Sequence, residues 1–94
     1  MSNHPDSLFE NYLLDLGYLL KEAAREAKQS FNETKKNKSS NEGDEAFASG
    51  RALAYYEVVS LMQQQAKAFG IEYSKLALGD LDPDKDLLWV WVVP

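Results

Sequence analysis

The sequence predicts a mainly α protein: a long antiparallel helical hairpin with an irregular C-terminal segment that ends in a short apolar β-like strand, two hairpins forming a four-helix bundle as a dimer. Three observations predict it. Apolar residues recur at alternating steps of four and three over two long stretches, the period of a helix packed along its length. A short polar run from Asn37 to Asn41 separates the stretches, so the two rods must be antiparallel neighbours. The chain then closes on Leu87-Leu88-Trp89-Val90-Trp91-Val92-Val93, whose Val and Trp content favours a strand.

The first helix is expected over about 5–37. Phe9, Leu13, Leu16, Leu20, Ala23 and Ala27 form its seam. Leu8, Tyr12, Leu14, Tyr18 and Leu19 widen that seam in the first half only, so the N-terminal half is expected to be the more deeply packed. Pro5 suits a first turn, where its missing donor costs nothing. Asp6 and Glu10 complement the positive end of the helix dipole, and Lys35, Lys36 and Lys38 the negative end. Residues 38–41 make the loop. Ser39, three residues before Glu42, has the form of a capping box opening the second helix, expected over about 42–69. Phe47, Arg51, Tyr55, Val58, Met62, Gln65 and Phe69 are its seam. Gly70 followed by Ile71 fits a helix stopped by a left-handed glycine, with the apolar residue folded back on the last turn.

Each helix should span roughly 42–48 Å. Both apolar stripes are wider than one helix–helix contact requires, so further cover is expected from a second copy and from the chain's own extension, residues 70–94. Within that extension Tyr73 to Leu78 reads as irregular or a short helical turn, and Pro83 cannot lie inside a helix or a central strand. In the closing run Leu87, Trp89, Trp91 and Val93 would point to one face, and Leu88, Val90 and Val92 to the other. Both faces are apolar, so the run wants cover on both sides or a partner. Leu88, Trp89, Val90, Trp91 and Val92 are therefore the candidate interaction surface.

Ninety-four residues make one domain, and a core of that size buries only about 60–65% of the unfolded chain's surface, so association would add stability. With 45% hydrophobic and 27% charged residues the chain has enough apolar surface to fold. A net charge of −5 argues against nucleic-acid binding, which depends on Lys and Arg neutralising phosphates, and an anionic membrane would repel it. The lysines near residues 35–38 are a small positive patch that suits a helix dipole better than a phosphate backbone. Without cysteine there are no disulfides, thiolate nucleophiles or cysteine zinc sites. The start lacks a secretory pattern and no segment approaches the ~18–20 apolar residues of a membrane span, so a cytoplasmic protein is expected.

Sites of chemistry are sparse. His4 is the single histidine, so the Glu-x-x-His pairs of di-iron bundles cannot form, and no metal or cofactor is expected. Lys21, Glu22, Arg25 and Glu26 read as a solvated face laced with local ion pairs. Asp80, Asp82, Asp84 and Asp86 alternate like the start of a calcium loop, which also requires glycine at its sixth position and glutamate at its twelfth. Counted from Asp82, those positions hold Leu87 and Val93. The stretch reads instead as an Asp-Pro-Asp turn that keeps the apolar run soluble. Gly17 and Gly50 each cost a helix about 1 kcal/mol against alanine, and should permit close approach, one of them receiving a ring such as Tyr55, Tyr56 or Trp89.

These features point to a non-catalytic protein–protein interaction or regulatory protein, acting as a helical-hairpin homodimer or on another protein. The alternative is a small magnesium-dependent bundle-type hydrolase using Glu42, Glu45 and Glu57. Magnesium bound to phosphate needs clustered carboxylates, and Glu57 lies among Tyr55, Tyr56, Val58 and Val59, where burial perturbs a carboxylate. In its structural reading Glu57 accepts hydrogen bonds from Arg51 or a tyrosine.

Overall fold

The structure, a computed structural model, describes residues 5–37 and 41–88. They form two long antiparallel helices, α1 (Pro5–Lys36) and α2 (Glu42–Ala68), then a 3-10 turn at Tyr73–Leu76 and a π turn at Asp84–Leu88. The helix limits fall within one residue of those the sequence predicts. Asn41 caps α2: its Oδ1 accepts the Asp44 N–H at 2.8 Å, while the Asp44 carboxylate accepts the Asn41 N–H; Ser39, the cap expected from the sequence, lies outside the described residues. The far end of α2 closes as expected. Gly70 has a φ of 72°, its N–H donates to the Lys67 carbonyl at 3.1 Å, and the Ile71 N–H donates to the Ala66 carbonyl at 2.7 Å, the paired bonds of a Schellman stop.

The helices meet along small side chains. Ala27 and Phe31 of α1 pack with Ala48 and Ala52 of α2 near the loop, and Ala24 packs with Val59 and Ala66 further along. Alanines let two backbones approach closely, and this rotates the larger neighbours outward. The stripe expected between the helices is thus displaced by one residue on α2: Ala48, Ala52, Val59, Gln63 and Ala66 face inward, whereas Phe47 is 74% exposed, Phe69 is 76% exposed, and Val58 is exposed as well. The N-terminal half of α1 also differs from expectation. It is the less covered half, with Leu8 68% and Phe9 64% exposed, because its apolar residues encircle the helix while its neighbours occupy only one side.

Residues 71–88 form a strap that runs back along the hairpin toward the loop. Leu76 lies against Gly17, Asp80 against Lys21, and Leu87 joins Leu76, Leu78 and Leu81 in the core around Ala24 and Val59. Each fully buried leucine contributes about 1.5–3 kcal/mol relative to exposure, so the strap's four anchors supply much of the core. The extension therefore covers the hairpin as expected, and Tyr73–Leu76 is the short helical turn expected there. The strand does not begin where the sequence places it: Leu87 and Leu88 belong to the π turn, whose start Asp82 caps ahead of Pro83. Residues 89–94, with the rest of the expected strand, lie outside the described residues.

Candidate functional site

The hairpin has two broad sides, and the strap covers one of them. Gly17 makes that cover possible. A Cβ built there would fall on the Leu76 carbonyl oxygen, 2.7 Å from its carbon and 3.3 Å from the Leu76 Cα. The close approach expected of a glycine is real at this position, but the visitor is backbone rather than a ring. Gly50 has no atom within 4 Å of such a Cβ, so close packing is not its role.

Polar contacts hold the strap in register. Lys21, only 8% exposed, donates from Nζ to Asp80 Oδ1 at 3.0 Å, and the Arg25 guanidinium stands 3.7 Å from the other carboxylate oxygen. The buried Gln63 amide donates to the Leu81 carbonyl at 2.9 Å and the Leu78 carbonyl at 3.2 Å. Tyr56 donates its hydroxyl to Asp84 at 2.8 Å. Asp82 Oδ1 accepts the Asp84 and Lys85 N–H groups, and Asp86 returns a carboxylate to the Asp82 N–H at 2.9 Å. The four alternating aspartates thus divide into two tethers, Asp80 and Asp84, and a capping pair, Asp82 and Asp86.

These contacts shift two titrations. The hydrogen bond to Asp84, with burial and the aspartate's charge behind it, pushes the Tyr56 hydroxyl above its usual value. The Lys21 hydrogen bond holds the Asp80 carboxyl below the ordinary carboxylate range, against an opposing desolvation effect. A depressed carboxyl pKa contributes stability that is present above the unfolded value, about 4 for Asp, and lost as the pH falls through the folded value. The stability difference between the native chain and Asp80→Asn should therefore be largest at neutral pH and narrow below about pH 4. Urea titrations at pH 7 and pH 3 check this; a gap equal at both would show that the carboxylate charge does not hold the strap. Asp80 is largely exposed, so solvent screens the effect and it should be modest.

Among the described residues nothing lies over the opposite side. Ser30 and Thr34 of α1 share a trough of about 250 Å³ with Phe47 and Arg51 of α2, and Arg51 reaches across to Glu26 at 3.6 Å. Stepping by fours and threes from Ser30 toward the N-terminus leads through Glu26, Ala23, Leu19, Leu16 and Tyr12, all on one helical face. The matching stripe on α2 runs from Phe47 and Arg51 through Val58, Met62 and Gln65 to Phe69. Of the seam read from the sequence of α2, Phe47, Val58, Gln65 and Phe69 are exposed, whereas Tyr55 and Met62 are half-buried against the core. A groove of about 780 Å³, lined by Leu8, Tyr12, Leu14, Tyr18 and Ala77, continues the apolar surface round α1 to the edge of the strap.

The sequence-derived candidates are spread apart. Glu42 is exposed in the first turn of α2, Glu45 is half-buried one turn on, and Glu57 is exposed a further twelve residues along, roughly 18 Å away. No three His, Cys, Asp or Glu side chains among the described residues stand together as a metal cage would require. Arg51 serves Glu26 and lies over the Tyr55 ring at 5.6 Å, not Glu57. The face from Lys21 to Lys28 is not simply solvated, since Lys21, Ala24 and Ala27 are buried and its ion pairs reach α2 and the strap rather than the next turn. Lys35 lies 5.7 Å over the Phe31 ring. Leu88 contributes its backbone to the π turn, and Trp89, Val90, Trp91 and Val92 lie outside the described residues. Lys21 and Gln63 went unrecognised as anchors, although each is the polar interruption of an otherwise small, apolar stripe. No described helix is long and apolar enough to cross a membrane. No family model, curated protein or solved structure matches this chain.

Proposed function

We propose that this chain is a non-catalytic protein–protein interaction or regulatory protein that works as a helical-hairpin homodimer, two hairpins completing a four-helix bundle. The observation that carries the reading is the side of the hairpin that no other described residue covers, where Tyr12, Leu19, Val58, Leu61 and Phe69 are all exposed. A contiguous apolar surface of this kind marks an interaction site. A hairpin that has used its alanines for internal contact has its larger residues free for an external one. The acidic balance of the chain, −5, disfavours nucleic acid as the occupant.

Light scattering at micromolar to millimolar concentration tests the proposal. A mass near twice the 10.6 kDa of one chain is expected, with dissociation on dilution. A mass that stays at one chain throughout that range would overturn it.

A further inference from the structure

Resting on the homodimer reading, we infer that the second copy docks on the open half of the uncovered side, nearest the α1 N-terminus and the α2 C-terminus, and that the loop ends of both hairpins lie outside the interface. The uncovered side changes character along its length. From Ala23 toward the N-terminus α1 presents Leu19, Tyr12 and Phe9, with Leu16 half-buried between them, and from Ala54 onward α2 presents Val58, Leu61 and Phe69, with Gln65 exposed among them. Toward the loop the same stripes carry Glu26, Ser30 and Thr34 on α1 and Arg51 and Asp44 on α2, with Phe47 an isolated apolar residue at the polar trough. The Glu26–Arg51 pair, 3.6 Å apart, marks the border.

The size of the apolar half fits a second copy. Taking about 150–250 Å² for a fully exposed aromatic side chain and somewhat less for an aliphatic one, the exposed parts of Phe9, Tyr12, Leu19, Val58, Leu61 and Phe69 amount to roughly 700 Å². The largest patch on a monomer is about 300–600 Å², whereas each partner in a standard interface contributes about 800 Å². A stripe of fours and threes on both helices is also the pattern that interdigitates with an identical copy. The groove beside Leu14 and Tyr18 is less suited, because Asn11 and Asp15 interrupt it.

The test uses the full chain and four lysine substitutions. Leu19→Lys and Val58→Lys should weaken the dimer at least about tenfold, because each would bury an unpaired charge in an apolar interface. Tyr18→Lys and Phe47→Lys should leave the dissociation constant within about twofold, as expected for positions outside the interface. Circular dichroism should show native helix content in all four, since each site is exposed in the single chain. Hydroxyl-radical footprinting of the unmutated chain gives a second measurement independent of any folding defect: on raising the concentration through the dimerisation range, Tyr12 and Phe69 should gain protection and Tyr18 and Phe47 should not. A native chain that is a dimer but indifferent to Leu19→Lys and Val58→Lys, or protected at Tyr18 and Phe47 instead, overturns this docking mode while the homodimer reading stands. A monomeric native chain, including one with Tyr12 and Phe69 protected at every concentration, overturns both.

Discussion

Replacing Gly17 with alanine is expected to destabilise the fold by about 2–3 kcal/mol, even though alanine is the better helix former by about 1 kcal/mol. The new methyl group would occupy the place of the Leu76 carbonyl, and a backbone carbonyl in a hydrogen-bonded turn cannot rotate aside as a side-chain tip can. The strap must then withdraw from α1, loosening Leu76 and Leu78 in the core and stretching the Lys21–Asp80 pair from its 3.0 Å contact. For a domain of this size a loss of that order lowers the thermal midpoint by roughly 10–20 °C. Gly50→Ala supplies the comparison: no atom lies within 4 Å of the added Cβ, the helix propensity gain is unopposed, and a stabilisation of about 0.5–1 kcal/mol is expected. Urea titrations of both variants, at matched protein concentration because association couples to stability, measure the pair. Equal effects from the two substitutions would refute the close approach at Gly17.

The opposite signs expected for two glycines that look alike in the sequence show what was legible and what was not. Helix limits were, because caps are local: Gly70 and Ile71 close α2 through bonds to Ala66 and Lys67, all within one turn. The period of each helix was legible too. Its phase was not, since α2 carries two adjacent stripes of nearly the same spacing, one of alanines and one of large residues, and hydropathy alone favours burying the larger. The alanine stripe wins because it admits a second backbone, and Phe47, Val58 and Phe69 of the other stripe are left exposed. Lys21 reads as surface in the sequence because the carboxylate that makes its burial tolerable is 59 residues away, beyond the reach of any spacing rule. Glu57 differs in the opposite sense: apolar neighbours in sequence are not apolar neighbours in space, and it is exposed.

The strap also explains why the exposed apolar surface is lopsided. It satisfies one side of the hairpin with four leucines and fixes them by hydrogen bonds, while on the other side the Glu26–Arg51 pair crosses between the helices. With residues 71–88 over one face, the second still carries exposed Tyr12, Leu19, Val58 and Phe69 on two regular helices. Binding through such a preformed surface loses less conformational entropy than binding through a segment that must order first, which suits a module whose proposed role is association.

That preformed surface depends on the strap staying in register, and Gln63 is the residue expected to matter most for it after Gly17. Its amide is the donor for two strap carbonyls, Leu78 at 3.2 Å and Leu81 at 2.9 Å, within a region where both leucines are buried. Gln63→Leu keeps comparable bulk and improves apolar contact, yet it removes the donor from carbonyls that cannot turn to water. Leaving a buried acceptor unsatisfied costs about 1–3 kcal/mol; the Leu78 carbonyl keeps the Leu81 N–H at 3.4 Å, so a net loss of about 1–3 kcal/mol is expected, chiefly from the Leu81 carbonyl. Gln63→Glu separates hydrogen bonding from packing. An ionised carboxylate would face two acceptors and be more damaging than leucine at pH 7. Once protonated it regains a donor, so its folded-state pKa must lie above the unfolded value of about 4.3. The sign follows: its stability relative to Gln63→Leu should be greatest below about pH 4 and fall as the pH rises through the folded pKa. Urea titrations of the two variants between pH 3 and 7 read this directly. Parallel pH profiles would mean that the amide fills space between α2 and the strap without holding either carbonyl.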